Sequence, residues 1–125
     1  MSDPPSVVRT ALLDATLQPD TEIERVKVAR VELAPGEPAG LHLHPCPVVG
    51  CVIAGMIRFQ VADSPVVTLR AGDAFFEPAN IRIPHFDNLS TTEAAVFVAC
   101  YLLGPGEDRL IEMLDGRHSE AKAQE

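Results

Sequence analysis

The chain alternates short apolar runs with turn-forming residues, a pattern typical of β-structure. Gly, Pro, Asn, Asp and Ser occupy the positions between the runs, where tight backbone turns are needed. Within residues 26–33 the alternation changes phase near Ala29, which predicts a β-bulge. Many short strands at close spacing favour a β-sandwich or a β-barrel. The predicted strands are residues 26–33, 41–44, 48–54, 56–61, 66–69, 74–76, 81–86 and 94–103.

The C-terminal part departs from this pattern. Residues 108–114 carry apolar side chains on one side of a helical turn, with Gly116 placed as a stop, and predict a short helix. The polar tail that follows is expected to be loosely held. The predicted organisation is a single domain with an N-terminal arm or strand at 1–22, a barrel at 23–106, and a short helix with a polar tail at 107–125.

Composition and charge restrict the class of partner. Lys and Arg number 10 against 18 Asp and Glu, which gives a formal net charge of −8 without any basic cluster. This argues against binding to nucleic acid or to an anionic membrane surface, and no apolar run is long enough for a membrane helix. An odd number of cysteines in apolar sequence, and an N-terminus without a secretory signal, predict a cytoplasmic protein. Composition by itself therefore indicates a single soluble domain and gives no information about its chemistry.

Two histidines, His42 and His44, lie two residues apart in a predicted strand. Side chains at this spacing project from the same face, with Cα atoms roughly 6.5–7 Å apart. Both imidazoles can therefore lean onto one ion, and imidazole suits Fe, Zn, Ni, Co or Cu. Taken alone, the spacing is a weak signal, and two polar residues on an exposed strand are its commoner explanation.

The flanking residues extend the pattern. The chain reads Gly36-x5-His42-x-His44-x3-Val48-x6-Gly55, then Gly72-x5-Pro78-x-Asn80, followed by His85 and Asn88. This resembles the two motifs of the cupin superfamily, G-x5-H-x-H-x(3,4)-E-x6-G and G-x5-P-x-G-x2-H-x3-N. The resemblance spans most of the chain. It implies an all-β fold, a small antiparallel jelly-roll β-barrel with a metal ion held inside by the two motifs.

The resemblance also implies a set of metal ligands. His42 and His44 match the two histidines of the first motif. The third histidine of the family pattern falls on Ile83, and His85 follows two residues later, where the strand face would be the same. We therefore predict that His42, His44 and His85 hold a divalent transition metal, with Fe(II) preferred and Zn, Ni, Mn or Co as alternatives. Asn80 replaces a motif glycine, and asparagine readily adopts positive φ.

The main departure from the family pattern is Val48, which stands where the first motif has a glutamate ligand. Three neutral imidazoles would leave the ion at +2 with a free coordination position facing the substrate pocket, which should attract an anionic or chelating substrate. Glu77 is interpreted as an exposed or supporting residue at a strand end. Asp87 could share a face with His85 and return a carboxylate to the site, although a role in a turn is preferred.

From the resemblance we predict a metal-dependent oxygenase acting on a small anionic or chelating metabolite. One alternative is a redox-neutral isomerase or lyase that uses the same metal site. The other is a cupin that binds a small molecule without catalysis, an interpretation favoured by Val48. No general acid or base is identified from the sequence.

Small cupins are often dimers, and the sequence gives a reason to expect one here. Residues 48–54 are apolar on both faces of their predicted strand, so the outer face needs cover as well as the inner one. We therefore predict a homodimer in which this sheet or a neighbouring strand packs across the interface.

Overall fold

The computed structural model of the protein describes residues 6–114 and confirms the predicted all-β fold. Within these residues there is no helix, and hence none that could cross a membrane. The strands are β1 Arg25–Leu33, β2 His42–Leu43, β3 Val48–Ala54, β4 Met56–Gln60, β5 Val67–Arg70, β6 Ala74–Glu77, β7 His85–Asn88, β8 Ala95–Leu103 and β9 Glu112–Met113.

The strands form antiparallel sheets around one core. A four-stranded sheet has the order β1-β8-β3-β6, a three-stranded sheet has the order β5-β4-β7, and β2 pairs with β9. The two larger sheets meet through a cluster of phenylalanine rings, in which Phe86 of β7 lies 5.1 Å from Phe75 of β6 and 4.7 Å from Phe97 of β8, between ring centroids. Edge-to-face and tilted contacts of this kind add to the stabilisation that burial gives.

Strand β3 approaches its neighbours closely at Gly50. This residue pairs with Phe75 on β6 and with Ala99 on β8. A Cβ atom at Gly50 would collide with the Phe75 ring and with the carbonyl oxygen of Val98. The missing side chain therefore makes room for the Phe75 ring in the core, one inward-facing position along β3 from Val48.

Strand β1 has no bulge, and the expectation of one near Ala29 is wrong. Its register with β8 is continuous from Arg25 to Leu33. Ala29 and its inward-facing neighbours are partly or fully buried, whereas Val26 and Val28 lie on the outer face and are 55% and 62% exposed. The apolar pattern changes phase because valines occupy the outer face at one end of the strand.

The outer face of the four-stranded sheet carries exposed apolar side chains, which are relevant to the predicted homodimer. Ile53 of β3 is 55% exposed and Val49 and Cys51 are half-buried, so β3 adds to the apolar surface formed by Val26 and Val28. The homodimer stays a prediction, with this surface at the interface. Light scattering at micromolar concentration should give the mass of two chains, and the mass of one chain would contradict it.

The helix predicted over residues 108–114 is absent. Leu110 is buried inside the barrel, and Glu112–Met113 pairs with His42–Leu43 as a short strand. The backbone nitrogen of Leu114 donates to the carbonyl of Leu41 at 2.8 Å. The segment is therefore extended across the barrel, and its apolar residues follow that path rather than a helical period. The predicted polar tail, residues 117–125, lies outside the described residues.

Candidate metal centre

His42 lies on β2 and His44 follows directly after this strand, and both imidazoles are buried. The prediction that they share one face is met, since their ring centroids are 4.9 Å apart and the rings are nearly perpendicular. Their Nδ1 atoms make short hydrogen bonds to backbone carbonyls, from His42 to Gly40 at 2.7 Å and from His44 to Leu110 at 2.6 Å.

These hydrogen bonds fix the tautomer of each neutral ring. A carbonyl oxygen can only accept, so each Nδ1 carries the hydrogen and donates it. In a neutral imidazole the other nitrogen, Nε2, then has a free lone pair. Holding a ligand histidine through its second nitrogen is the usual arrangement around protein-bound metals. Both histidines are thus oriented to present Nε2 as a ligand atom.

Glu77 completes the cluster from the end of β6. Its side chain is buried, and its Oε2 atom lies 3.5 Å from His42 Nε2 and 3.1 Å from His44 Nε2. The three ligand atoms lie within 4.8 Å of one another. Atoms bound to a common ion at about 2.0–2.2 Å lie roughly 3.3–3.6 Å apart in tetrahedral geometry. The spacing of the cluster fits a transition metal ion.

The charge and the lone pairs of the cluster favour a bound cation. Burial would raise the pKa of Glu77, but the charges of His44 and His42 and their hydrogen bonds lower it to about 2. Burial would lower the pKa of His44, whereas the charge and hydrogen bond of Glu77, with the bond to Leu110, raise it. When both histidines are neutral and donate from Nδ1, the buried Glu77 Oε2 has no hydrogen-bond donor among the described residues. A divalent cation at this point would satisfy all three lone pairs, so the residues fit a metal.

His85 is not brought to this cluster. Its side chain is 39% exposed, and its Nδ1 lies 2.8 Å from Asp87 Oδ2. Asp87 shares the face of His85, as considered from the sequence, but that face points away from the barrel interior. The expectation that His85 faces inward is therefore corrected.

The reason lies in the segment that precedes β7. Ile83 is fully buried and forms an isolated bridge with His42, so the position of the motif histidine does face the cluster. The next fully buried residue is Phe86, three positions later. An odd offset means that strict alternation is lost at Pro84, and β7 begins only at His85. The inward-outward alternation of side chains therefore does not continue from Ile83 to His85, and the two side chains lie on different faces.

The cluster opens into a cavity of about 300 Å³, and Val48 is one of the residues that line it. Val48 pairs with Glu77 on β6 and with Tyr101 on β8. The Tyr101 side chain also lines the cavity, with its ring centroid 5.9 Å from that of His44. Burial, and then the nearby Glu77 carboxylate, raise the pKa of Tyr101 to about 12. Its hydroxyl is therefore protonated at neutral pH.

Comparison with known proteins identifies the family. The sequence profile described as "Cupin domain" matches residues 29–101, more than half of the chain. The chain belongs to the cupin family. The resemblance drawn from the two motifs and the predicted jelly-roll fold are confirmed. No curated protein sequence matches this cupin.

Solved structures similar to this cupin include enzymes. An oxalate oxidase in complex with the substrate analogue glycolate has a TM-score of 0.60 and 26% identity over 71% of this chain and 46% of its own. A cupin-like protein from Thermotoga maritima has a TM-score of 0.57 and 26% identity over 71% of this chain and 64% of its own. A DMSP lyase shares the fold, with a TM-score of 0.59 and 24% identity over 70% of this chain and 43% of its own. The chain spans less than half the length of the oxalate oxidase.

The carboxylate of the cluster comes from β6. Glu77 lies directly opposite Val48 on the neighbouring strand β3, the position to which the motif resemblance assigns a glutamate. From the sequence, Glu77 is interpreted as an exposed or supporting residue because it precedes Pro78 at a strand end. Only the register between β3 and β6 shows otherwise.

Proposed function

We propose that this cupin is a metal-dependent oxygenase whose ion is held by His42, His44 and Glu77, with Fe(II) preferred and Zn, Ni, Mn or Co as alternatives. One observation carries the proposal, the convergence of two Nε2 atoms and one carboxylate oxygen within 4.8 Å in a buried cluster. Two histidines and one carboxylate with open positions is the ligand set of non-haem Fe(II) oxygenases. Three histidines would not have distinguished iron so clearly.

The bound ion would supply redox chemistry toward dioxygen and a positive charge for an anionic substrate. The protein's own residues prepare that chemistry. The carbonyls of Gly40 and Leu110 orient the two imidazoles through Nδ1. The hydrocarbon lining of the cavity limits access of water to the reacting groups.

The cavity lining offers few groups besides the proposed ligands that could take part in a reaction. Apart from the three proposed ligands, Tyr101 is the one titratable residue among the described residues that line the cavity. Its pKa is raised to about 12, so its hydroxyl can donate a hydrogen bond to a bound substrate at neutral pH. The similarity to an oxalate oxidase also supports oxidation of an anionic substrate.

Dioxygen uptake tests this proposal. Protein loaded with Fe(II) is supplied with a panel of small carboxylates, diketones and thiols in an oxygen electrode. We expect uptake with at least one class, and none in metal-free protein or in Glu77→Gln. Product formed without dioxygen uptake would support the lyase or isomerase alternative. Binding that raises the melting temperature without any product would support a non-catalytic module instead.

We also propose a cytoplasmic location and a small-molecule partner. Cys46, Cys51 and Cys100 are all free thiols, which supports a reducing compartment.

A further inference from the structure

The cavity that contains the cluster is polar at one end only. Its polar lining side chains are His42, His44, Glu77 and Tyr101. These four are contiguous, because Glu77 and Tyr101 flank Val48 on the neighbouring strands and the rings of His44 and Tyr101 are in contact. A ligand in this cavity therefore meets charged and hydrogen-bonding groups at a single end.

The remaining lining is hydrocarbon. Ala29 and Val31 of β1 and Phe97 and Ala99 of β8 form much of one wall. Ala29 and Ala99 are paired directly across the two strands, so two methyl groups meet where larger side chains would fill the space. Within residues 6–114, no lysine or arginine lines the cavity. An ionised group against this wall would lose its hydration without gaining a partner.

The volume of the cavity sets the size of the part of a ligand that it can enclose. The cavity holds about 300 Å³. Since a water-sized group occupies roughly 30 Å³, the cavity has room for on the order of ten such groups. A coordinating head followed by a chain of about six to eight carbons would fill it.

The net charge of the metal centre at the polar end determines which ligand charge is favoured. A divalent ion on two neutral imidazoles and one carboxylate leaves a net charge of +1. One monoanionic head neutralises this charge, and the Tyr101 hydroxyl can donate a hydrogen bond to it. A second carboxylate enclosed in the cavity would place an unpaired negative charge among hydrocarbon side chains.

We infer that the cavity binds a monoanionic amphiphile, with one coordinating head at the metal centre and a hydrocarbon body against β1 and β8, in preference to a dicarboxylate. The inference rests on the proposed metal centre and extends it by assigning the class of ligand.

Calorimetric titration of zinc-loaded protein with straight-chain monocarboxylates, from acetate to octanoate, tests this inference without redox chemistry. Each added methylene is expected to strengthen binding about three- to fourfold until the cavity is filled. Octanedioate has the length of octanoate and a second carboxylate, and should bind at least about tenfold more weakly.

A matched pair of variants locates the hydrocarbon body. Ala29→Leu adds three carbons to the wall, whereas Val28→Leu places the same leucine side chain on the outer face of the same strand. We expect Ala29→Leu to weaken octanoate binding about tenfold or more while zinc content and acetate binding stay unchanged. Val28→Leu should match the unaltered protein in all three measurements.

The outcomes separate this inference from the proposed function. Zinc-loaded protein that binds octanoate no better than acetate, or prefers octanedioate, would overturn the inference and leave the metal centre intact. Unchanged octanoate binding in Ala29→Leu would overturn the assigned wall. Failure to take up zinc would overturn both the inference and the metal centre.

Discussion

Replacement of Glu77 by glutamine is expected to lower the affinity for Fe(II) about 100-fold or more. Glutamine has nearly the same shape but lacks the negative charge that faces the two Nε2 atoms at 3.1 and 3.5 Å. Removing one partner of a buried charge pair costs about 3 kcal/mol or more, which corresponds to at least about two orders of magnitude in affinity. Competition with a chromogenic Fe(II) chelator measures the change. Affinity equal to that of the unaltered protein would contradict the role given to Glu77.

A transfer of the carboxylate tests its position as well as its charge. Val48 and Glu77 are direct partners on β3 and β6, so the double variant Val48→Glu, Glu77→Val moves the carboxylate to the position of the family pattern. We expect it to regain at least about tenfold in Fe(II) affinity over Glu77→Val alone, because both positions face the cavity. A double variant as weak as Glu77→Val would show that only β6 can supply the ligand.

Replacement of His44 by alanine is expected to empty the site, whereas replacement of His85 is expected to leave it full. His44 is buried, orients Nε2 toward Glu77 and is held by the carbonyl of Leu110. His85 is partly exposed and bonds to Asp87 on the outer side of β7. The pair is matched in residue type and in the change made. Circular dichroism of both variants controls for loss of the fold.

Much of the fold follows from local sequence patterns. The bounds predicted for β3 agree with the structure, and those of β1 and β8 differ from it by one residue. The asparagine at position 80 has φ 61°, as expected for the replacement of a motif glycine. The shared face of His42 and His44 follows from their spacing. These features depend on residues that are close together in the sequence, so the local order of residue types is enough to predict them.

The features that sequence reasoning missed depend on the pairing of distant segments. Glu77 enters the cluster only because β6 pairs with β3 in one particular register. His85 leaves the inner face because alternation is lost at Pro84. The segment around Leu110 is extended because its partners are β2 and His44, which lie far away in sequence. Apolar spacing by itself cannot reveal any of these contacts.

The metal content of protein purified without a polyhistidine tag tests the central claim most directly. We predict close to one equivalent of transition metal per chain in the unaltered protein and in His85→Ala, and little or none in His44→Ala. Near-zero metal in all three proteins, or metal lost from His85→Ala but retained by His44→Ala, would contradict a centre built from His42, His44 and Glu77.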